Sequence, residues 1–252
     1  FQVELYTGNG SSGHAQTLDG SEDMQPDLVY AKGRGNATSP SIHDSVRGAT
    51  LELYTSSTAA EGDYNETLKS FDSDGFTVGT DGGWIGSGQT KVAWCWKAGG
   101  SASANSDGGT SSSVSVNTTA GFSIVNWAGS SSASVQTIGH GLGTTPHWIL
   151  SKNRGSGSSI TAWINYHHRL DLSTPEDFTI YMNNTDARVD NAVHGDTKPT
   201  SSVFSFNTGT DDQNYISYCF VQKKGFSKFG SYKGNGQGAG DGVFVYLGFK
   251  PA

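Results

Sequence analysis

One stretch of this chain occurs twice, and that repeat limits the possible folds more than any other feature does. Pro26-Asp27-Leu28-Val29-Tyr30-Ala31-Lys32-Gly33-Arg34-Gly35 returns as Pro146-His147-Trp148-Ile149-Leu150-Ser151-Lys152-Asn153-Arg154-Gly155, with Pro, Lys, Arg and Gly at the same offsets. Proline has no N–H to give a sheet ladder, so it sits naturally at the first position of a strand. The apolar and aromatic residues behind it, closed by a glycine turn, read as one strand with a cationic exit loop. Other landmarks recur at nearly the same interval. Phe1 to Tyr6-Thr7-Gly8-Asn9-Gly10 parallels Phe122 to Trp127-Ala128-Gly129-Ser130, and Val92-Ala93-Trp94-Cys95-Trp96 parallels Ile216-Ser217-Tyr218-Cys219-Phe220. A partial third copy, Tyr232-Lys233-Gly234-Asn235-Gly236 followed by Val243-Phe244-Val245-Tyr246, comes last. Self-similarity of this kind predicts tandem units.

The expected architecture is all-β: two tandem jelly-roll-like β-sandwich modules related by internal duplication. Module 1 spans residues 1–97. Residues 98–120 form a Gly/Ser-rich linker, flexible in its first part, with a possible edge strand over Ser113 to Asn117. Module 2 spans 121–252 and includes closing strands over 224–252. The 35 glycines supply tight turns, while aromatics at 11% against 34% hydrophobic residues imply a core of few, large side chains. Val92, Trp94 and Trp96 alternate with Ala93, Cys95 and Lys97, a bulky strand face against a small one. No segment keeps a 3.6-residue period, and only Leu170 to Asp177 offers one helical turn.

Composition also excludes function classes. The 16 basic residues are scattered singly under a net charge of −7, so no nucleic-acid partner is expected. No apolar run approaches the roughly 20 residues of a membrane helix, so no membrane insertion is expected. No charged-then-apolar leader is visible, and the start at Phe1 suggests a processed product or part of a longer chain. Each module holds one cysteine, which argues for buried, unpaired thiols at Cys95 and Cys219 and leaves the redox compartment open.

The candidate sites are weak as chemistry. His43-Asp44-Ser45 has the residue types of a hydrolase triad, but neighbours on a strand point to opposite faces and cannot hydrogen-bond in series. His167-His168 fails as a bidentate metal pair for the same reason, and His140 and His147 lack a Cys or carboxylate to complete a site. Asp72-Ser73-Asp74-Gly75 opens like a calcium loop, making Asp72 and Asp74 weak calcium ligands at most, since Gly83 stands where the bidentate Glu belongs. Gly234, Gly236, Gly238 and Gly240 read as a flexible hairpin, because a phosphate loop needs other spacing and a helix. No paired carboxylates recur in both modules, so neither a catalytic set nor a cofactor is expected. Trp84, set among glycines, is the best exposed platform for stacking a sugar, and the His140 turn is a second ligand candidate.

Four motifs then stand out together: Val92 to Gly100, Ile138-Gly139-His140-Gly141-Leu142-Gly143-Thr144-Thr145-Pro146, Phe226 to Gly236, and Gly248-Phe249-Lys250-Pro251-Ala252. In this order they resemble the repeated C-terminal modules of tail-fibre-like virion proteins from marine tailed bacteriophages. The resemblance runs over essentially the whole chain. It implies a non-enzymatic protein of the virion surface, involved in assembly and host recognition. Expected partners are other virion proteins, further copies of itself and a host surface glycan. A capsid decoration protein and a lectin-like glycan-binding module are the alternatives. The resemblance carries no functional residues, and Leu18 to Pro26 of the first module lacks the Gly-His-Gly-Leu-Gly turn.

Overall fold

The computed structural model describes residues 1–132, 134–236, 238 and 242–250. Gly240 of the expected glycine hairpin, and Pro251 and Ala252 of the last motif, lie outside the described residues. The first half contains β1 (Gln2–Thr7), β2 (His14–Thr17), β3 (Leu28–Gly33), β4 (Ser41–Asp44), β5 (Gly48–Tyr54), β6 (Gly62–Asp63), β7 (Leu68–Asp72), β8 (Gly75–Val78), the single turn α1 (Gly82–Ile85) and β9 (Thr90–Trp96). The second contains β10 (Ser103–Asn105), β11 (Ser112–Asn117), β12 (Phe122–Ala128), β13 (Val135–Gly139), β14 (Trp148–Asn153), β15 (Ile164–His167), β16 (Phe178–Tyr181), β17 (Val189–Asp190), β18 (Val203–Asn207) and β19 (Asn214–Phe220). Two 3-10 turns, Pro175–Asp177 and Ala192–His194, complete it.

Each half is a sandwich of a large and a small antiparallel sheet. The large sheets run β1-β9-β3-β4-β5-β6 and β10-β11-β12-β19-β14-β15-β16-β17; the small ones are β2-β8-β7 and β13-β18. Setting β12, β19, β14, β15 and β16 against β1, β9, β3, β4 and β5 gives the same strand order. The register agrees too: Val29 lies opposite Cys95, and Ile149 opposite Cys219. The repeated Pro-headed stretch is β3 in one half and β14 in the other.

The alternation along β9 and β19 decides where each face goes. Ala93 and Cys95 turn toward the small sheet and pack with Val29, Leu68, Phe76 and Val78. Tyr215 and Cys219 do the same with Trp127, Phe204 and Phe206. The bulky faces meet each other instead. Leu28, Ile42 and Leu53 of the first half share one core with Phe122, Ile124, Leu150, Trp163, Ile216, Tyr218 and Phe220 of the second. The molecule is therefore four layers deep, small sheet, large sheet, large sheet, small sheet. β19 is covered on both faces and is apolar on both, as such a strand must be, whereas the bulky face of β9, with Val92, Trp94 and Trp96, is half-buried. Both cysteines are unpaired and buried, and burial pushes the Cys95 thiol up to about 12.

Two sequence expectations change. Residues 98–112 are tethered rather than flexible. Asp27 Oδ2 accepts the Ala98 N–H at 2.8 Å, Ser115 Oγ accepts Gly99 N–H at 2.9 Å, and the Thr110 N–H reaches Thr137 O at 3.0 Å. β11 pairs with β12, and β10 forms the sheet's outer edge. The closing strands expected over 224–252 are not formed: past β19 the described residues hold only an isolated bridge between Lys223 and Ser227.

Candidate functional site

Between the halves, the deepest polar cluster gathers on Arg47. Asp44, last residue of β4, points into the shared core, where its carboxylate takes the Arg47 Nε and, at 2.7 Å, the Tyr218 hydroxyl. Arg47 also donates to Glu61 Oε2 at 2.8 Å and to the Ile42 carbonyl at 3.0 Å. Glu61 in turn holds Arg154, from the second copy of the repeated stretch, at 3.0 and 2.7 Å. Burial alone would push the Arg47 guanidinium down, but the carboxylates of Asp44 and Glu61 hold it far above its ordinary value. This arrangement joins the two large sheets: Arg47 and Asp44 are fully enclosed, while Glu61 and Arg154 at its outer end stay partly exposed.

A second polar cluster opens to solvent. Asp81 caps α1 by accepting the Gly83 N–H at 2.8 Å. The glycines that promised an exposed Trp84 instead let the chain turn tightly enough to tuck the indole inward, and Trp84 is only 3% exposed. Its Nε1 donates to Glu52 Oε1 at 3.2 Å, and its ring meets His43 edge-on at 5.1 Å. Trp84 is thus no open stacking platform. His43 Nε2 lies 3.4 Å from the same Glu52 oxygen, while Nδ1 faces Ala49 O at 2.6 Å. Burial pushes the Glu52 carboxyl up, but His43, Tyr54 and Trp84 outweigh that and hold it below its usual value. A cavity of about 250 Å³ lies over Glu52, Trp84 and the buried Lys91, with Lys32, Ser39 and Asp81 at its rim. Lys91 Nζ donates to Gln89 Oε1 at 3.0 Å and to Asn36 Oδ1 at 3.5 Å, and burial lowers its pKa.

The remaining predicted residues are dispersed. His140 is fully buried: its Nε2 donates to Thr200 O at 3.2 Å and its Nδ1 accepts the Leu142 N–H at 3.2 Å. It braces the Gly-rich turn and offers nothing to a ligand. Asp72 is held by the hydroxyls of Ser70 and Thr77, each at 2.7 Å, and Asp74 accepts the Met24 N–H at 3.1 Å. The two carboxylates serve the β7–β8 hairpin. Among the described residues no group of three or more His, Cys, Asp or Glu could hold a metal ion. His43, Asp44 and Ser45 diverge, since Ser45 Oγ donates to Asp27 at 2.8 Å.

Some groupings required the tertiary structure. The rings of His147 and His168 lie 4.8 Å apart and those of His167 and His168 5.1 Å apart; His168 Nε2 donates to Phe229 O at 3.1 Å. Burial and the neighbouring imidazoles push His167 down to about 4. An apolar cleft of about 270 Å³ pairs equivalent residues of the two halves: Leu28 with Trp148, Trp94 with Tyr218, and Trp96 with Phe220. Glu52 and Lys91 carried one sequence signal: each interrupts an inward-facing strand position with a charge.

Comparison with curated proteins and with solved structures gave no match. A family model described as a domain of unknown function (DUF7483) matches residues 1–252, and the chain belongs to that family.

Proposed function

We propose that this chain is a non-enzymatic structural protein of a tailed-phage virion, displayed on the particle by a tail fibre or another appendage and engaged in assembly and host recognition. The observation that carries this reading is the joint between the halves. Two sandwiches with one strand order, as an internal duplication would leave them, are fused through a common core and the Arg47 cluster into a stiff block. Stiffness suits a load-bearing element. The apolar stretch from Val243 to Tyr246 stays uncovered, with Phe244 86% and Tyr246 72% exposed. An unpaired segment of that composition favours contact with further copies of the chain. The residue types a hydrolase would need point to three different partners, which favours binding over turnover.

The test is to purify particles and place the chain by immuno-electron microscopy and mass spectrometry, while incubating the isolated protein with host polysaccharide. The expected result is a stoichiometric particle component on an appendage and no released sugar. Absence from the particle, or sugar release by the purified chain, overturns the reading. A capsid-wide distribution of the label would replace the appendage by capsid decoration.

A further inference from the structure

We propose that the cavity over Glu52 is a saccharide site that takes one neutral, hydroxylated sugar ring. The first support is an unmet hydrogen-bonding demand. Glu52 is 2% exposed, and its Oε1 is approached by Trp84 and His43; the Tyr54 hydroxyl bears on the carboxylate from the same cavity wall, yet no donor meets Oε2 with hydrogen-bond geometry. A buried carboxylate oxygen without a donor is unfavourable, and a fold keeps one most readily where a ligand supplies the donor. Vicinal hydroxyls do so well, since an ionised carboxylate accepts at several positions.

Charge selects the class of ligand. The lining holds two carboxylates, Glu52 and Asp81, and two ammonium groups, Lys32 and Lys91. Their formal charges cancel, so the pocket favours neither an anion nor a cation. Lys91 already donates to Gln89 and Asn36, which leaves it one N–H, suited to a hydroxyl more than to a carboxylate. Ser39 and Ser41 add hydroxyls that both donate and accept. The volume, about 250 Å³, lies below the roughly 300 Å³ at which drug-sized pockets begin, so one ring fits better than an extended chain.

The second half supplies an internal comparison. By register, Ser41 and Tyr54 of the first half correspond to Ile164 and Tyr181 of the second. The position of Glu52 is there taken by Thr179, whose hydroxyl is spent on Asn165 O at 2.9 Å. A cavity is present at this place too, beside Ile164, Tyr181 and Val193, but it carries no carboxylate. Only the first half should bind.

This inference deepens the host-recognition part of the proposed function, and its test uses the isolated chain, so either can fail without the other. Saturation-transfer NMR of the full chain with methyl glycosides of glucose, galactose, mannose and N-acetylglucosamine should show transfer to at least one of them. Glu52→Gln should weaken that binding at least about tenfold, as expected for one charge-assisted hydrogen bond. Ser39→Trp, on the exposed rim, should abolish it by filling the mouth, and it keeps the test valid should Glu52→Gln disturb the fold. No transfer from any glycoside, transfer unchanged in both variants, or displacement of the sugar by millimolar glycine would overturn the proposal.

Discussion

Arg47 shows how much a single side chain can hold when solvent is excluded. Its guanidinium and the Asp44 carboxylate are both fully enclosed, whereas the pairs Lys69–Glu66 and Arg188–Asp171 stand in water. Exposed pairs contribute about 0–1 kcal/mol; removing one partner of a buried pair costs about 3–5 kcal/mol, because the other charge is stranded. Arg47→Met is therefore expected to destabilise the protein by about 3–5 kcal/mol in urea unfolding, and a loss below about 1 kcal/mol would show that Asp44 does not need its partner. His194 gives a second residue-scale expectation. It is buried against Tyr166 and Phe206, and burial pushes its imidazole down to about 4. Between the ordinary value near 6.5 and about 4, the unfolded chain takes up a proton that the folded one refuses. Stability should fall as pH drops through that window and level off below it, by on the order of 2–3 kcal/mol for an enclosed imidazole. His167 acts in the same direction. Urea midpoints measured from pH 7 to pH 4 should decline, and His194→Gln should flatten the slope.

At the scale of elements, β9 and β19 organise the two halves. β9 is the hydrogen-bonded neighbour of β1 and of the Pro-headed β3, and β19 that of β12 and of the Pro-headed β14. The segment after β19 is of another kind. Phe229 packs on Trp148 and Phe220 at 6.1 Å between ring centroids, but Tyr232 and the stretch from Val243 to Tyr246 are largely exposed. Truncation after Gly230 keeps Phe229 and should move the melting temperature by less than about 2 °C, since little core is lost. It should also reduce self-association in sedimentation velocity. A melting temperature several degrees lower would mean that the tail contributes to the core after all.

For the whole molecule, the shared core decides stability. Residues 1–97 alone would expose Leu28, Ile42 and Leu53, and the second half alone would expose Trp163, Ile216 and Tyr218. The intact chain should unfold in one calorimetric transition, and either half expressed separately should aggregate; two resolved transitions would contradict this. The sequence by itself made legible the all-β class, the strand that follows each Pro-headed stretch and the placing of cysteine with small residues on one face, because these follow from period-two alternation and repeated turn signals. It did not determine which apolar face of β9 or β19 meets which partner. With both faces apolar, that choice depends on contacts between residues more than a hundred positions apart. The same limit applied to the site. Glycine neighbours suggested an exposed Trp84, and only the packing of α1 against β3, with Glu52 of β5 accepting the indole N–H, turned it inward. The Gly-His-Gly turn suggested an open His140, and only Thr200, brought close by the pairing of β13 with β18, closed it off. Local sequence specifies backbone geometry and the parity of each side chain; the tertiary structure decided what each face would touch, because burial is a property of the assembled layers.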